Sequence, residues 1–170
     1  MSINTDPYIH QHIICANILV RKNGQYLVIR RSTKKRYAPG VVSPIGGKVD
    51  PGENPYTTAM RELAEEANIT VSNVRLEAVI VEIEPVKDEP YNWLVFYFSG
   101  DYAGGEITQT EEGELILLSK EELLAEQLFP SFREVVERVL NPDDGTICAT
   151  FTYDESKTKI VQRKMDICSI

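Results

Sequence analysis

Two hydrophobic periods alternate along the chain. Ile13 to Val20 and Gln25 to Arg31 are apolar, β-branched runs separated by Arg21-Lys22-Asn23-Gly24. Asn-Gly between two such runs is a strong short-range signal for a hairpin, so the fold is expected to open on one. Ser32 to Gly40 is polar and basic, with Lys34, Lys35 and Arg36, and reads as a surface loop leading into Val41-Val42. Pro44 to Glu53 is rich in turn residues. Behind it the period changes: Tyr56, Met60, Leu63 and Ala67 recur at steps of four, three and four, one stripe of a helix that ends near Ala67-Asn68.

Val74 to Glu84 and Trp93 to Gly100 are strand-like, separated by the loop Pro85 to Asn92, and Glu114 to Leu118 is a further short strand. Ser119 stands three residues before Glu122, a capping box that starts a helix. A second helix is expected over Phe132 to Leu140, after Pro130. Thr146 to Tyr153 and Lys159 to Ile167 flank Asp154-Glu155-Ser156-Lys157 as a terminal hairpin, with the pair ending at about residue 167. No repeat, low-complexity tract or linker interrupts the pattern. The prediction is one α+β domain over residues 1–170, a mixed sheet with a few helices packed on it.

Composition narrows the function. The chain has 170 residues, 42% of them hydrophobic, and carries 18 basic against 26 acidic side chains, a net charge of −8. A chain of this length can bury roughly 70% of its unfolded surface, so it needs no metal or disulfide staple to fold. The acidic balance disfavours duplex nucleic acid, whose binding rests on clustered Lys and Arg. The opening ten residues lack a basic stretch followed by an apolar one, and no apolar run spans a bilayer; the expectation is a cytoplasmic protein off the membrane. Cys15, Cys148 and Cys168 are too few and scattered for a disulfide framework or a four-ligand zinc site. A phosphorylated small molecule remains an available partner for an acidic protein when a divalent cation mediates the contact.

The helix through Leu63 supplies such a site. Glu62, Glu65 and Glu66 share one face, opposite Met60, Leu63 and Ala67, and no lysine lies on that arc. Like charges at these spacings repel, so a cation is expected there. Glu53, just after the Pro51-Gly52 turn, can reach the same place, bringing four carboxylates together. Hard oxygen ligands in this number suit Mg²⁺ or Mn²⁺ and point to phosphoryl chemistry.

The spacing is specific. From Gly47, five residues precede Glu53 and seven more precede Arg61-Glu62; then come Leu63, Ala64, Glu65-Glu66, Ala67, Asn68 and Ile69. This stretch, 47–69, closely resembles the signature of the Nudix hydrolases, departing only at Asn68, where the family has Gly. The position lies just past a helix end, where a left-handed residue is wanted, and Asn is the usual substitute for Gly there. The resemblance implies an α/β/α sandwich around a mixed β-sheet, in which a loop-helix-loop holds metal ions that activate water against a diphosphate linkage. By position, Glu62, Glu65 and Glu66 resemble metal ligands, with a backbone carbonyl near Gly46 and Gly47. Arg61 resembles the family arginine that orients neighbouring glutamates, and Glu53 the glutamate that supports the site.

In several nucleotide-cleaving members a glutamate ahead of the strand after the signature acts as base or further ligand; here Glu112 takes that place, with Glu111 second. Arg30, Arg31 and Lys48 are candidate phosphate contacts, because guanidinium and ammonium groups there precede or flank the glycine turn. Outside the signature, Gly46 to Lys48, the Glu-Gly before Glu114, Phe129-Pro130 and the final hairpin resemble the branch that cleaves oxidised purine nucleoside triphosphates. Phe129 or Phe132 is a candidate to stack on a base. The acidic residues that follow an aromatic-Pro pair in one member type are absent, since Ser131 and Phe132 follow Pro130.

The expected activity is cleavage of a nucleoside triphosphate, an oxidised purine such as 8-oxo-dGTP among them, to monophosphate and pyrophosphate. ADP-ribose or another nucleoside-diphosphate derivative is the alternative substrate, and a non-catalytic nucleotide sensor the alternative class; intact Arg61, Glu62, Glu65 and Glu66 speak against the sensor. An isopentenyl diphosphate isomerase would need a catalytic cysteine in its own motif and histidine ligands, and His10 and His12 both lie in the N-terminal stretch before the first strand. A homodimer is compatible with the sequence.

Overall fold

A computed structural model describes residues 11–34, 38–109, 113–141 and 145–168. His10, Lys35, Arg36, Glu111 and Glu112 lie outside the described residues. The first hairpin pairs β1 (His12–Lys22) with β2 (Gln25–Arg31), and its Asn23-Gly24 turn takes two left-handed residues, φ 51° and 79°. That conformation matches the right-handed twist of the flanking strands, which is why Asn-Gly marks the site. After the short β3 (Val42–Ser43) and β4 (Ile45–Lys48), helix α1 (Pro55–Ala67) carries the carboxylates. Then follow β5 (Ile69–Ile83), β6 (Asn92–Gly105), β7 (Gly113–Leu118), α2 (Lys120–Ala125), α3 (Pro130–Leu140), β8 (Thr146–Tyr153) and β9 (Ile160–Cys168).

The strands form one mixed sheet in the order β3-β2-β1-β6-β5-β8-β9, with β4 paired to β1 and β7 to β2. β1–β6 and β5–β8 run parallel, and the other pairs are antiparallel. Successive strand residues point to opposite faces, and the core divides accordingly. Ala16, Ile18 and Val20 of β1 pack with Ala59, Leu63 and Ala67 of α1. Cys15 and Leu19 pack instead with Phe132, Val135 and Val139 of α3. The result is the helix–sheet–helix sandwich the family resemblance implies.

Several expectations need correction. Pro44 to Glu53 is not all turn: Ile45–Lys48 is a strand, and Gly46 lies so close to β1 that a Cβ there would stand 2.1 Å from the Ala16 carbonyl. Strands β5 and β6 are longer than their apolar runs, because register shifts near Thr70, Ser72 and Leu76 let polar residues continue the ladder. The cysteines are less scattered than their spacing suggests: β8–β9 pairing brings Cys148 Sγ and Cys168 Sγ to 3.0 Å. Phe132 sits fully buried, stacked on Tyr97 at 5.8 Å, so its aromatic ring is core and not a base platform. Among the described residues, no helix is long and apolar enough to cross a membrane.

Helix α1 has well-defined ends. Asn54 caps it by accepting from the Thr57 N–H at 3.0 Å, and Pro55 follows at the first turn. Asn68 ends it in the left-handed region, φ 55° and ψ 41°, and its N–H bonds back to the Ala64 carbonyl at 3.2 Å. Asn68→Ala should therefore cost about 1 kcal/mol, whereas Asn68→Gly should be neutral or stabilising, since only the former places an ordinary side chain at positive φ. Urea unfolding of both variants checks this, and equal stabilities would contradict it.

Candidate active site

The Pro51-Gly52 turn returns the chain toward the start of α1, and Glu53 anchors it there. Its N–H donates to the Asp50 carbonyl at 3.0 Å, and its carboxylate accepts from Thr58 Oγ1 at 2.7 Å. Arg61, one turn further along α1, forks onto Glu53 through Nε at 3.0 Å and Nη2 at 3.1 Å. Its Nη1 donates to Glu62 at 2.8 Å and to Glu65 at 3.0 Å, and Nη2 reaches the Lys48 carbonyl at 3.4 Å. The counter-charge that the acidic face requires is thus supplied within the chain, by Arg61. Bonds from Arg61 and Thr58 hold the Glu53 carboxyl below its usual range. Burial pushes Glu62 up, and the Arg61 guanidinium opposes that rise.

Gly47 fits this arrangement for a steric reason. A Cβ on Gly47 would lie 2.2 Å from Glu62 Oε1, so the carboxylate rests directly on the β4 backbone. Gly46 and Gly47 pair with Asn17 and Ala16 of β1, which fixes that backbone against the sheet. Glu66 lines a cleft of about 190 Å³ together with Gly46, Gly47 and Lys48. Among the described residues, no three His, Cys, Asp or Glu side chains already form a cation cage. The donors around β4 are carboxylate and carbonyl oxygens, a set that fits a hard divalent cation and not a soft metal.

The cleft continues from this acidic end across the α3 face of the sheet to Glu82, Trp93 and Phe129. Arg31 also lines it, whereas Arg30 points elsewhere and forms a two-pronged ion pair with Glu126, at 3.0 and 2.7 Å. The expected phosphate role for Arg30 is accordingly reassigned to holding β2 against the end of α2. Glu82 and Trp93 are the residues that sequence reasoning missed. The available signal was a carboxylate in the buried phase of an apolar strand, Ile80-Val81-Glu82-Ile83. Glu82 is completely buried, and Tyr153 Oη donates to its Oε2 at 3.0 Å. Desolvation pushes its carboxyl up to about 7, against the opposing effect of Ser131 and Tyr153.

Two outcomes follow. Gly47→Ala should displace Glu62 and lower catalytic turnover while leaving the sheet intact by circular dichroism; unchanged turnover would contradict the packing of Glu62 on β4. Because the Glu82 carboxyl titrates higher folded than unfolded, its contribution to stability is complete at low pH and is lost as pH rises through about 7. Glu82→Gln should therefore gain stability relative to the parent protein between about pH 5 and pH 8, by up to on the order of 3 kcal/mol. Urea titrations at both pH values measure the difference, and a constant gap would count against it.

Comparison with known proteins agrees with this geometry. The NUDIX domain family model matches residues 10–139. An uncharacterised Nudix hydrolase, YvcI of Bacillus subtilis, is 29% identical over 112 residues, covering 64% of this chain and 69% of its own. The NAD-capped RNA hydrolase NudC of Chromobacterium violaceum is 35% identical over 98 residues, 58% of this chain, which spans only 33% of that relative's length. Among solved structures, a MutT protein of Bacillus halodurans superposes with a TM-score of 0.75 at 26% identity, over 91% of this chain and 97% of that one. Enzymes of this fold and signature cleave nucleoside diphosphate derivatives and generally use divalent metal ions. With the signature, the sandwich and the acidic cleft all in one chain, the protein belongs to the Nudix hydrolase family.

Proposed function

We propose that this protein hydrolyses a nucleoside triphosphate to the monophosphate and pyrophosphate, with Mg²⁺ or Mn²⁺ as cofactor. The observation that carries this reading is a single cleft with two chemically different ends: Glu66 beside the glycine pair, and Trp93 with Phe129. One flat base fits against the aromatic end while its phosphates extend toward the carboxylates. An oxidised purine such as 8-oxo-dGTP is the first substrate to try, given the likeness outside the signature. The relatives named NAD-capped RNA hydrolases favour a second reading, a nucleoside diphosphate joined to another group.

A divalent cation bound at the acidic end would neutralise phosphate charge and lower the pKa of bound water. Glu62 and Glu66, with the Gly46-Gly47 backbone, are the groups to hold it, and Glu65 adds a further carboxylate to this face. Arg61 orients Glu53, Glu62 and Glu65, keeping their oxygens in place before substrate arrives. Arg31 and Lys48 line the path of the phosphates. During hydrolysis, water oxygen forms a bond to one phosphorus as the bridging P–O bond breaks, and the departing phosphate keeps the electron pair. Glu112 accepts the proton from water in this reading, with Glu111 as the substitute.

The test is a panel of nucleoside triphosphates, ADP-ribose, NAD and dinucleotide polyphosphates with Mg²⁺, with the products separated. Pyrophosphate and a monophosphate should appear from one class of triphosphate. Cleavage of ADP-ribose or NAD without any pyrophosphate release from triphosphates would move the assignment to the second reading. Glu66→Gln should lower turnover by about a hundredfold. Near-normal rates in a folded Glu66→Gln protein would remove Glu66 from the site.

A further inference from the structure

We propose that Glu82 is the specificity-determining residue of the cleft, reading an amino donor on the edge of a flat nitrogen heterocycle. The inference rests on the function proposed above, because it takes the aromatic end as the base site. Its ground is an unusual placement. Register sets Glu82 of β5 opposite Trp93 of β6, and Trp93 in turn beside Ile13 of β1. Alternate residues Trp93, Val95 and Tyr97 of β6, and Cys15 and Asn17 of β1, all contribute to the same cleft. Glu82 places a carboxyl group on that otherwise largely uncharged wall, and it is completely buried.

Ser131 and Tyr153 both bond to its carboxyl, yet the group is not fully satisfied. Oε2 accepts from Tyr153 Oη at 3.0 Å, whereas Oε1 has no partner among the described residues. Buried polar atoms are nearly always paired, so an unpaired one buried in the lining of a cleft has a reason to be there. The other buried glutamate, Glu77, shows the contrast: Ser99 Oγ donates to it at 2.5 Å and Arg75 Nε stands 3.7 Å away. Glu77 is a satisfied structural carboxylate, and Glu82 is a carboxylate with one oxygen to offer. Tyr153 fixes the orientation of the group, and the bond between Tyr97 Oη and Ser131 Oγ, at 3.0 Å, braces the α3 side of the same region.

A base that places an amino N–H against Oε1 gains a hydrogen bond to a buried carboxyl oxygen. A base of the same shape without that donor leaves the carboxyl oxygen buried and unpaired. Sites built on a buried hydrogen-bonding group reject the analogue that lacks the partner much more strongly than apolar pockets reject a missing methylene. Glu82 should therefore govern which base is accepted, while the acidic end governs cleavage.

The ligand can be altered in place of the protein. Pairs of purine nucleoside triphosphates differing by one amino group, guanine against hypoxanthine and adenine against unsubstituted purine, are compared by kcat/KM with the parent enzyme. At least one amino-bearing member should be favoured by about tenfold or more. In Glu82→Gln that ratio should fall to within about threefold of unity. KM for the favoured substrate should rise more than kcat falls, which a purely structural role would not produce. Equal rates within every pair in the parent enzyme, or an unchanged ratio in Glu82→Gln, would overturn the role of Glu82 and leave the proposed activity standing. Failure of the parent enzyme to release pyrophosphate from any triphosphate would refute the function itself and this inference with it.

Discussion

The arginine fork at Arg61 is the contact on which the acidic end depends. One guanidinium spans three pieces of chain: the loop carrying Glu53, the helix carrying Glu62 and Glu65, and the β4 carbonyl of Lys48. Its planar, multiply donating group can satisfy these directions at once, which a lysine ammonium on a flexible stem cannot do with the same geometry. By neutralising repulsion along α1 it lets several carboxylates share one face. The bond from Arg61 Nη1 holds Glu62 on the β4 glycines, and Glu66 lines the cleft beside them.

Sheet geometry then joins this acidic end to a binding surface. Parallel pairing of β1 with β6, and antiparallel pairing of β6 with β5, align residues that are far apart in sequence on a single face. One period-two phase of these strands builds the core under α1, and the other builds the core under α3 together with the cleft. In the proposed reading, reaction chemistry and recognition occupy the two ends of one surface. Their residues come from different elements: Glu82 and Trp93 lie on β5 and β6, and the Arg61 bonds on α1, β4 and the Glu53 loop.

Local chemistry made much of this legible from the sequence. Asn23-Gly24 gave the first hairpin, and Ser119 with Glu122 gave the start of α2, because each feature acts over a few residues. The signature from Gly47 to Ile69 was readable for a similar reason: a turn and one helix bring its carboxylates and Arg61 together. What escaped depends on long-range pairing. Ile45–Lys48 reads as turn because its glycines suit turns, yet those glycines allow close approach to β1 and Glu62. Arg30 meets Glu126 across 96 residues, and Cys148 meets Cys168 only through the β8–β9 register. Glu82 and Trp93 face each other from two strands joined by a loop, a proximity that hydrophobic periodicity does not encode.

The central claim is that the carboxylates near β4 bind a divalent cation beside a nucleotide. Titration calorimetry with Mn²⁺ and Mg²⁺, in the presence and absence of a nucleotide, addresses it directly. The account expects cation uptake that strengthens when nucleotide is present and weakens in Glu66→Gln. Absence of uptake under both conditions, by a protein whose fold is intact, would contradict it.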